Sequence, residues 1–201
     1  MSTVKIRINR VLKSTTVEGF GNRYCIWVQG CSIRCDGCAN KALWSATGGT
    51  ETYTETIIED ILAQKDLIEG VTFLGGEPFD QVEPLGQIAE CAQKQGYSVM
   101  TFTGYSYKTL LDENNVHINR LISNTDVLID GPFEKEKKDY SRPWVGSSNQ
   151  NYFFLTERYA AFKDCLNQFK NKFELRIQEN GEIQINGMGD YEALLRKIGY
   201  F

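Results

Sequence analysis

Arg23-Tyr-Cys-Ile-Trp-Val-Gln29 runs straight into Gly30-Cys31-Ser-Ile-Arg-Cys35-Asp-Gly-Cys38. An apolar, β-prone segment delivers three thiols in one short loop, at the spacing C-x3-C-x2-C. Four-iron clusters are held by thiolates, normally one on each iron. A loop that offers three leaves one iron open, and an open position is where a metal site does chemistry instead of bracing a fold.

Working outward, Val4, Ile6 and Ile8 alternate with Lys5, Arg7 and Asn9, the period of a half-buried strand. Downstream of the cysteine loop, Thr56 and Glu59 suit a capping box for a helix bearing Ile57, Ile58, Ile61 and Leu62. Val71-Thr-Phe-Leu74 predicts a short strand ending in Gly75-Gly76, and residues 82 to 95 predict a helix. Tyr97 to Thr103 reads as strand, 106 to 123 as interrupted helix, and Val127-Leu-Ile129 as strand again. Strands alternating with helices predict an α/β fold with a mostly parallel sheet. Ligands in such folds gather at the carboxyl ends of the strands. The cysteine loop, Gly75-Gly76-Glu77, Thr103-Gly104-Tyr105 and Asp130-Gly131 all fall there. Residues 1–150 read as the core. Residues 151–201 read as a C-terminal extension packed on the same domain, a hairpin turning at Asn180-Gly181 and a closing helix.

The 201 residues are 41% hydrophobic and 24% charged, with a formal net charge of -4, ordinary for a soluble domain and against a phosphate-binding surface. No apolar run approaches a membrane span, and Met1 to Lys13 lacks the apolar stretch of a signal peptide. The expected setting is cytoplasmic, with neither nucleic acid nor membrane as partner, and six cysteines there read as ligands or free thiols, not disulfides. The single histidine, His117, reads as a surface residue. A zinc knot is the bland alternative for the triplet, and it needs a fourth ligand. Cys25, Cys91 and Cys165 all sit among apolar neighbours and read as small buried hydrophobes. An electron-carrying iron-sulfur module lacks the same ligand.

Gly75-Gly76-Glu77-Pro78 supplies a second half. Bare glycine backbone lets a ligand lie along a strand edge, and Glu77 suits an ammonium group. A side chain at Gly76 would intrude on that slot. Together with the cysteine spacing, this resembles the radical S-adenosylmethionine (SAM) enzymes. Further stretches narrow the likeness. Asp126-Val-Leu-Ile-Asp-Gly-Pro-Phe133 and Asp139-Tyr-Ser-Arg-Pro-Trp-Val-Gly-Ser-Ser-Asn-Gln150 resemble the activating proteins of anaerobic ribonucleotide reductase. So do Asn22-Arg23, Asn40-Lys41, Trp44-Ser45 and Thr103-Gly104-Tyr105, in matching order over about residues 18 to 150.

The resemblance implies a partial (β/α) barrel and a [4Fe-4S] cluster on Cys31, Cys35 and Cys38. It implies SAM bound by Gly37, Ala39, Asn40, Gly75, Gly76, Glu77, Thr103 and Asp130, and cleaved after reduction by a donor such as flavodoxin or ferredoxin. The expected product is a glycyl radical on a partner enzyme. A radical SAM enzyme acting on a small molecule or peptide, similar to the 7-carboxy-7-deazaguanine synthases, is the alternative, but that group lacks Gly146-Ser-Ser-Asn-Gln150. Two departures stand out: Gly37 replaces the aromatic residue that many radical SAM enzymes place before the last cysteine, and the chain continues well past Gln150. The polar segment from Asp130 to Gln150 reads as a docking lip, with Arg142 and Trp144 as anchors.

Overall fold

Four strands that are buried along almost their whole length lie side by side in parallel: β2 (Arg23–Val28), β4 (Gly70–Gly75), β5 (Ser98–Phe102) and β6 (Val127–Asp130). Their apolar runs follow from cover on both faces. The computed structural model describes residues 4–199. On one face, Ile26, Val71, Phe73, Val99 and Leu128 pack under helices α1 (Thr54–Leu62), α2 (Val82–Lys94) and α4 (Val116–Ser123), with Ile61, Leu85, Ile88 and Leu121 as their counterparts. On the other face, Trp27 and Cys25 meet Leu12 and Leu43, while Met100, Val127 and Ile129 meet Phe20 and Trp144. Alternation along each strand sorts the residues between the two layers.

Antiparallel strands frame this centre. β1 (Lys5–Thr15) pairs with β2 and with β3 (Thr50–Tyr53), and β7 (Asn151–Phe154) pairs with β6. Three of the six pairings are parallel and three antiparallel, so the seven-stranded sheet is mixed, with the expected parallel strands at its centre. The sequence pattern does not reveal β3 or β7. The first is a polar edge, Thr-Glu-Thr-Tyr, and the second is a four-residue edge that is only partly buried. Helix α1 also starts earlier than its apparent capping box: Thr56 lies inside it and Tyr53 holds the N-cap position. A short α3 (Tyr107–Asp112) precedes α4, matching the expected interruption. His117 is half-buried on α4.

Beyond β7 comes a run of 3-10 turns, Glu157–Gln168, then a separate two-stranded sheet of β8 (Phe173–Ile177) and β9 (Ile183–Gly187). Gly181, at φ +82°, closes the hairpin turn. Helix α5 (Tyr191–Lys197) follows, its Ala193 N–H donating to Asp190 Oδ1 at 2.9 Å. The hairpin is tied to the end of β1. Asn186 Nδ2 donates to Thr15 Oγ1 at 3.2 Å, and Gly187 N–H to Glu18 Oε1 at 2.7 Å. No helix among the described residues is long and apolar enough to cross a membrane.

Candidate active site

The carboxyl ends of β2, β4, β5 and β6 carry the four polar or glycine-rich loops onto one rim, beside a cavity of about 690 Å³. That volume lies within the range of small-molecule sites, about 300–1,000 Å³. Gly37, Cys38, Ala39, Asn40, Gly75, Gly76 and Thr103 line it. Cys31, Cys35, Glu77 and Asp130 do not. The opposite wall comes from the extension, through Ile185, Asn186, Met188 and Tyr191.

The three thiols of the cysteine loop are half-buried. Left-handed backbone at Arg34 (φ +52°) and Gly37 (φ +77°) turns the loop. A Cβ at Gly37 would stand 3.2 Å from the Phe133 ring, so the glycine leaves room for an aromatic arriving from the loop after β6. Phe133 itself lines the cavity. Burial pushes the Cys31 and Cys35 thiols up from their ordinary range, while N–H groups of Arg34 and Ile33 at Cys31, and of Phe133 at Cys35, act against it. Such donors would also favour sulfur carrying negative charge in a cluster.

A second set of residues pins this loop, and the sequence motifs do not announce it. Asp80 accepts from Ser32 N–H and from Ser32 Oγ, both at 2.7 Å. Tyr105 OH lies 2.8 Å from Ser32 Oγ and donates to Asp80 Oδ1 at 3.2 Å. The only sequence signal was placement: Asp80 follows the glycine strip and Tyr105 belongs to a rim motif.

Among the other cysteines, only Cys25 is a core residue, fully buried in β2. Cys91 and Cys165 are half-buried, which corrects the expectation for both. Among the described residues, no three His, Cys, Asp or Glu side chains converge as one metal ion would require.

The glycine strip has a structural reason of its own. Gly75 sits at φ +109°, and a Cβ on Gly76 would lie 1.9 Å from the Gly30 carbonyl oxygen. Gly76 N–H donates to Val28 O and Glu77 N–H to Gly30 O, each at 2.8 Å. A side chain at Gly76 would therefore strike backbone before it reached any ligand.

Glu77 is turned into the protein and is 1% exposed. Its Oε1 accepts from Phe79 N–H at 2.9 Å and from Thr103 Oγ1 at 2.8 Å, and its Oε2 from Gly104 N–H at 2.7 Å. Asp130 is buried too, accepting from Tyr107 N–H at 2.7 Å and Asn151 Nδ2 at 3.0 Å. Both carboxylates fasten one rim loop to the next. Arg142 and Trp144 are also used internally. Trp144 is only 6% exposed and packs edge-on against Phe20 at 4.7 Å. Arg142 donates to Gln150 O at 2.9 Å and Ser147 O at 3.0 Å. Of the two expected docking anchors, Trp144 is thus a packing residue, while Arg142 is partly exposed and ties the loop together.

Burial raises the Glu77 carboxyl from an ordinary 4.5 to about 7, despite its three donors. A carboxyl raised on folding takes up a proton as the chain folds. Its stabilising contribution is complete below the ordinary value and fades as pH rises through about 7. Wild type should therefore lose, relative to Glu77→Gln, on the order of 3 kcal/mol of stability between about pH 5 and about pH 8. Urea unfolding of both proteins across that window is the measurement. A constant difference would mean that the three donors keep Glu77 ionised throughout.

Comparison with known proteins adds a family. The family described as "4Fe-4S single cluster domain" matches residues 17–153. The anaerobic ribonucleoside-triphosphate reductase-activating protein of Escherichia coli K12 is 34% identical over 144 residues, covering 67% of this chain and 89% of that protein. The Haemophilus influenzae protein of the same name is 33% identical, covering 67% and 88%. That of bacteriophage T4 is 26% identical over 155 residues, covering 74% and 94%.

Proposed function

This chain belongs to the family of anaerobic ribonucleoside-triphosphate reductase-activating proteins, with its 4Fe-4S single cluster domain, and on that premise we propose that it is a radical SAM activase of such a reductase. The observation that carries the proposal is the shared rim: Cys38, from the three-thiol loop, and a bare glycine strip, Gly75 and Gly76, border one cavity. Cys31, Cys35 and Cys38 would hold a [4Fe-4S] cluster. With an electron from an external donor, the cluster would supply reductive cleavage of the SAM sulfonium to methionine and a 5′-deoxyadenosyl radical, the species that would take a hydrogen atom from a glycine of the reductase.

The chain's own residues position and exclude. Backbone at Gly75 and Gly76 receives the amino-acid end of SAM. Gly37, Ala39, Asn40 and Thr103 border its remainder, with Phe133 as an apolar face. Glu77 and Asp130 act one layer back, holding the rim loops that make the cavity. A small one-electron donor, flavodoxin or ferredoxin, reduces the protein in a cytoplasmic setting. The parallel run β2-β4-β5-β6 forms the partial barrel, and residues 151–201 form an extension of the same domain.

The test is anaerobic incubation of the reduced protein with SAM and its reductase. The expected result is 5′-deoxyadenosine together with a glycyl radical signal in the reductase. Steady SAM cleavage with no such radical would overturn the partner. Turnover of a small molecule would put the 7-carboxy-7-deazaguanine synthase-like alternative in its place.

A further inference from the structure

Hairpins that cover a core normally turn their apolar face inward. The β8–β9 hairpin does the reverse. Leu175 pairs with Ile185 and Ile177 with Ile183, so four aliphatic side chains share one face. Leu175 is 40% exposed, Ile183 42% and Ile177 75%. The other face carries Glu174, Arg176 and Asn186, and it is the attached one: Glu174 bonds to Thr15, Arg176 to Ser14 O and Asn186 to Thr15. The inversion leaves an apolar strip that begins at Ile185, in the cavity wall, and runs outward to Ile177.

One further feature suits an extended chain lying on this strip. Neither hairpin strand joins the seven-stranded sheet, so among the described residues each keeps an outer edge without a strand partner.

We propose that the outer face of the C-terminal hairpin is the seat for the partner's glycine-bearing segment, which lies extended along Ile177, Ile183 and Leu175 and enters the cavity past Ile185. The proposal deepens the activase reading and rests on it. The reductase is the occupant because the strip is continuous with the cavity in which its glycine would have to react. The recognition is that of an added strand, with main-chain bonds at an edge and apolar contacts from alternate side chains. The hairpin lies beyond residue 153, where the family match ends, so this seat is specific to chains carrying the extension.

The experiment is anaerobic titration of the reductase with full-length wild type, Ile177→Asp, Ile183→Asp and, as a control, Val116→Asp, an exposed site on α4 in the helical layer. Both hairpin variants should melt like wild type yet bind the reductase at least about tenfold more weakly, and Val116→Asp should bind as wild type does. Equal affinity for all four proteins overturns the seat while leaving the activase reading in place. A wild type that binds no reductase overturns both. A wild-type dimer that Ile177→Asp converts to monomer would assign the strip to a second copy of the chain, which also overturns the proposal.

Discussion

Cys31→Ala, Cys35→Ala and Cys38→Ala should each lose the iron-sulfur cluster and all SAM cleavage, whereas Cys25→Ala, Cys91→Ala and Cys165→Ala should retain both. The division follows from place. The first three share one turned loop beside the cavity. Cys25 is buried in β2 among Leu12, Trp27 and Leu43; Cys91 lies on α2, and Cys165 in the 3-10 run after β7. A cluster held by three thiolates has none to spare, so each loss should be complete instead of graded. The fold should survive these changes. The loop is fastened by Ser32, Asp80 and Tyr105, and its thiols are half-buried surface groups. Cys25→Ala is the costliest of the control set, at about 1 kcal/mol of stability from lost packing. Iron and sulfide per chain after anaerobic reconstitution, read beside 5′-deoxyadenosine yield, make the measurement. A folded Cys25→Ala protein without a cluster would show that a fourth thiolate closes the site.

The parallel centre was legible because a strand covered on both faces must be apolar throughout, as Tyr24-Cys-Ile-Trp-Val28 and Val127-Leu-Ile129 are. The rim followed from the rule that ligands sit at the carboxyl ends of such strands. Edges obey no such pressure. β3 is polar and exposed on its outer side, and its pairing with β1 depends on a partner more than 30 residues away. Long-range partners also hid the roles of single residues. Trp144 lies among turn formers, and nothing nearby in sequence shows that Phe20 receives it. A carboxylate beside two glycines reads as a ligand group, and only the folded chain brings Phe79, Thr103 and Gly104 to Glu77 as donors. What sequence conveys well is the chemistry a loop can offer. It conveys poorly whether a polar side chain faces the ligand or fastens the wall behind it.

Gly76 makes that difference measurable. A slot for SAM alone would let Gly76→Val fold, keep its iron and bind SAM weakly. The geometry predicts a different result: Gly76→Val should be destabilised by several kcal/mol, on the order of 3–5, and lose its cluster as the fold loosens. Even the Cβ of Gly76→Ala would meet Gly30 O at 1.9 Å, with Val28 O at 3.1 Å, and both are backbone atoms that no rotamer change can move. Relief would require β2 and β4 to part just where Gly76 N–H and Glu77 N–H bond across, which would also displace Gly30, the residue before Cys31. The cluster loop and the glycine strip are therefore one mechanical unit, and a substitution in the strip should be felt at the thiols. Unfolding midpoints and iron content of Gly76→Ala and Gly76→Val should fall together, Val further than Ala. A Gly76→Val protein with wild-type stability and full iron, impaired only in SAM binding, would show that the strands can part at little cost and that the strip serves the ligand alone.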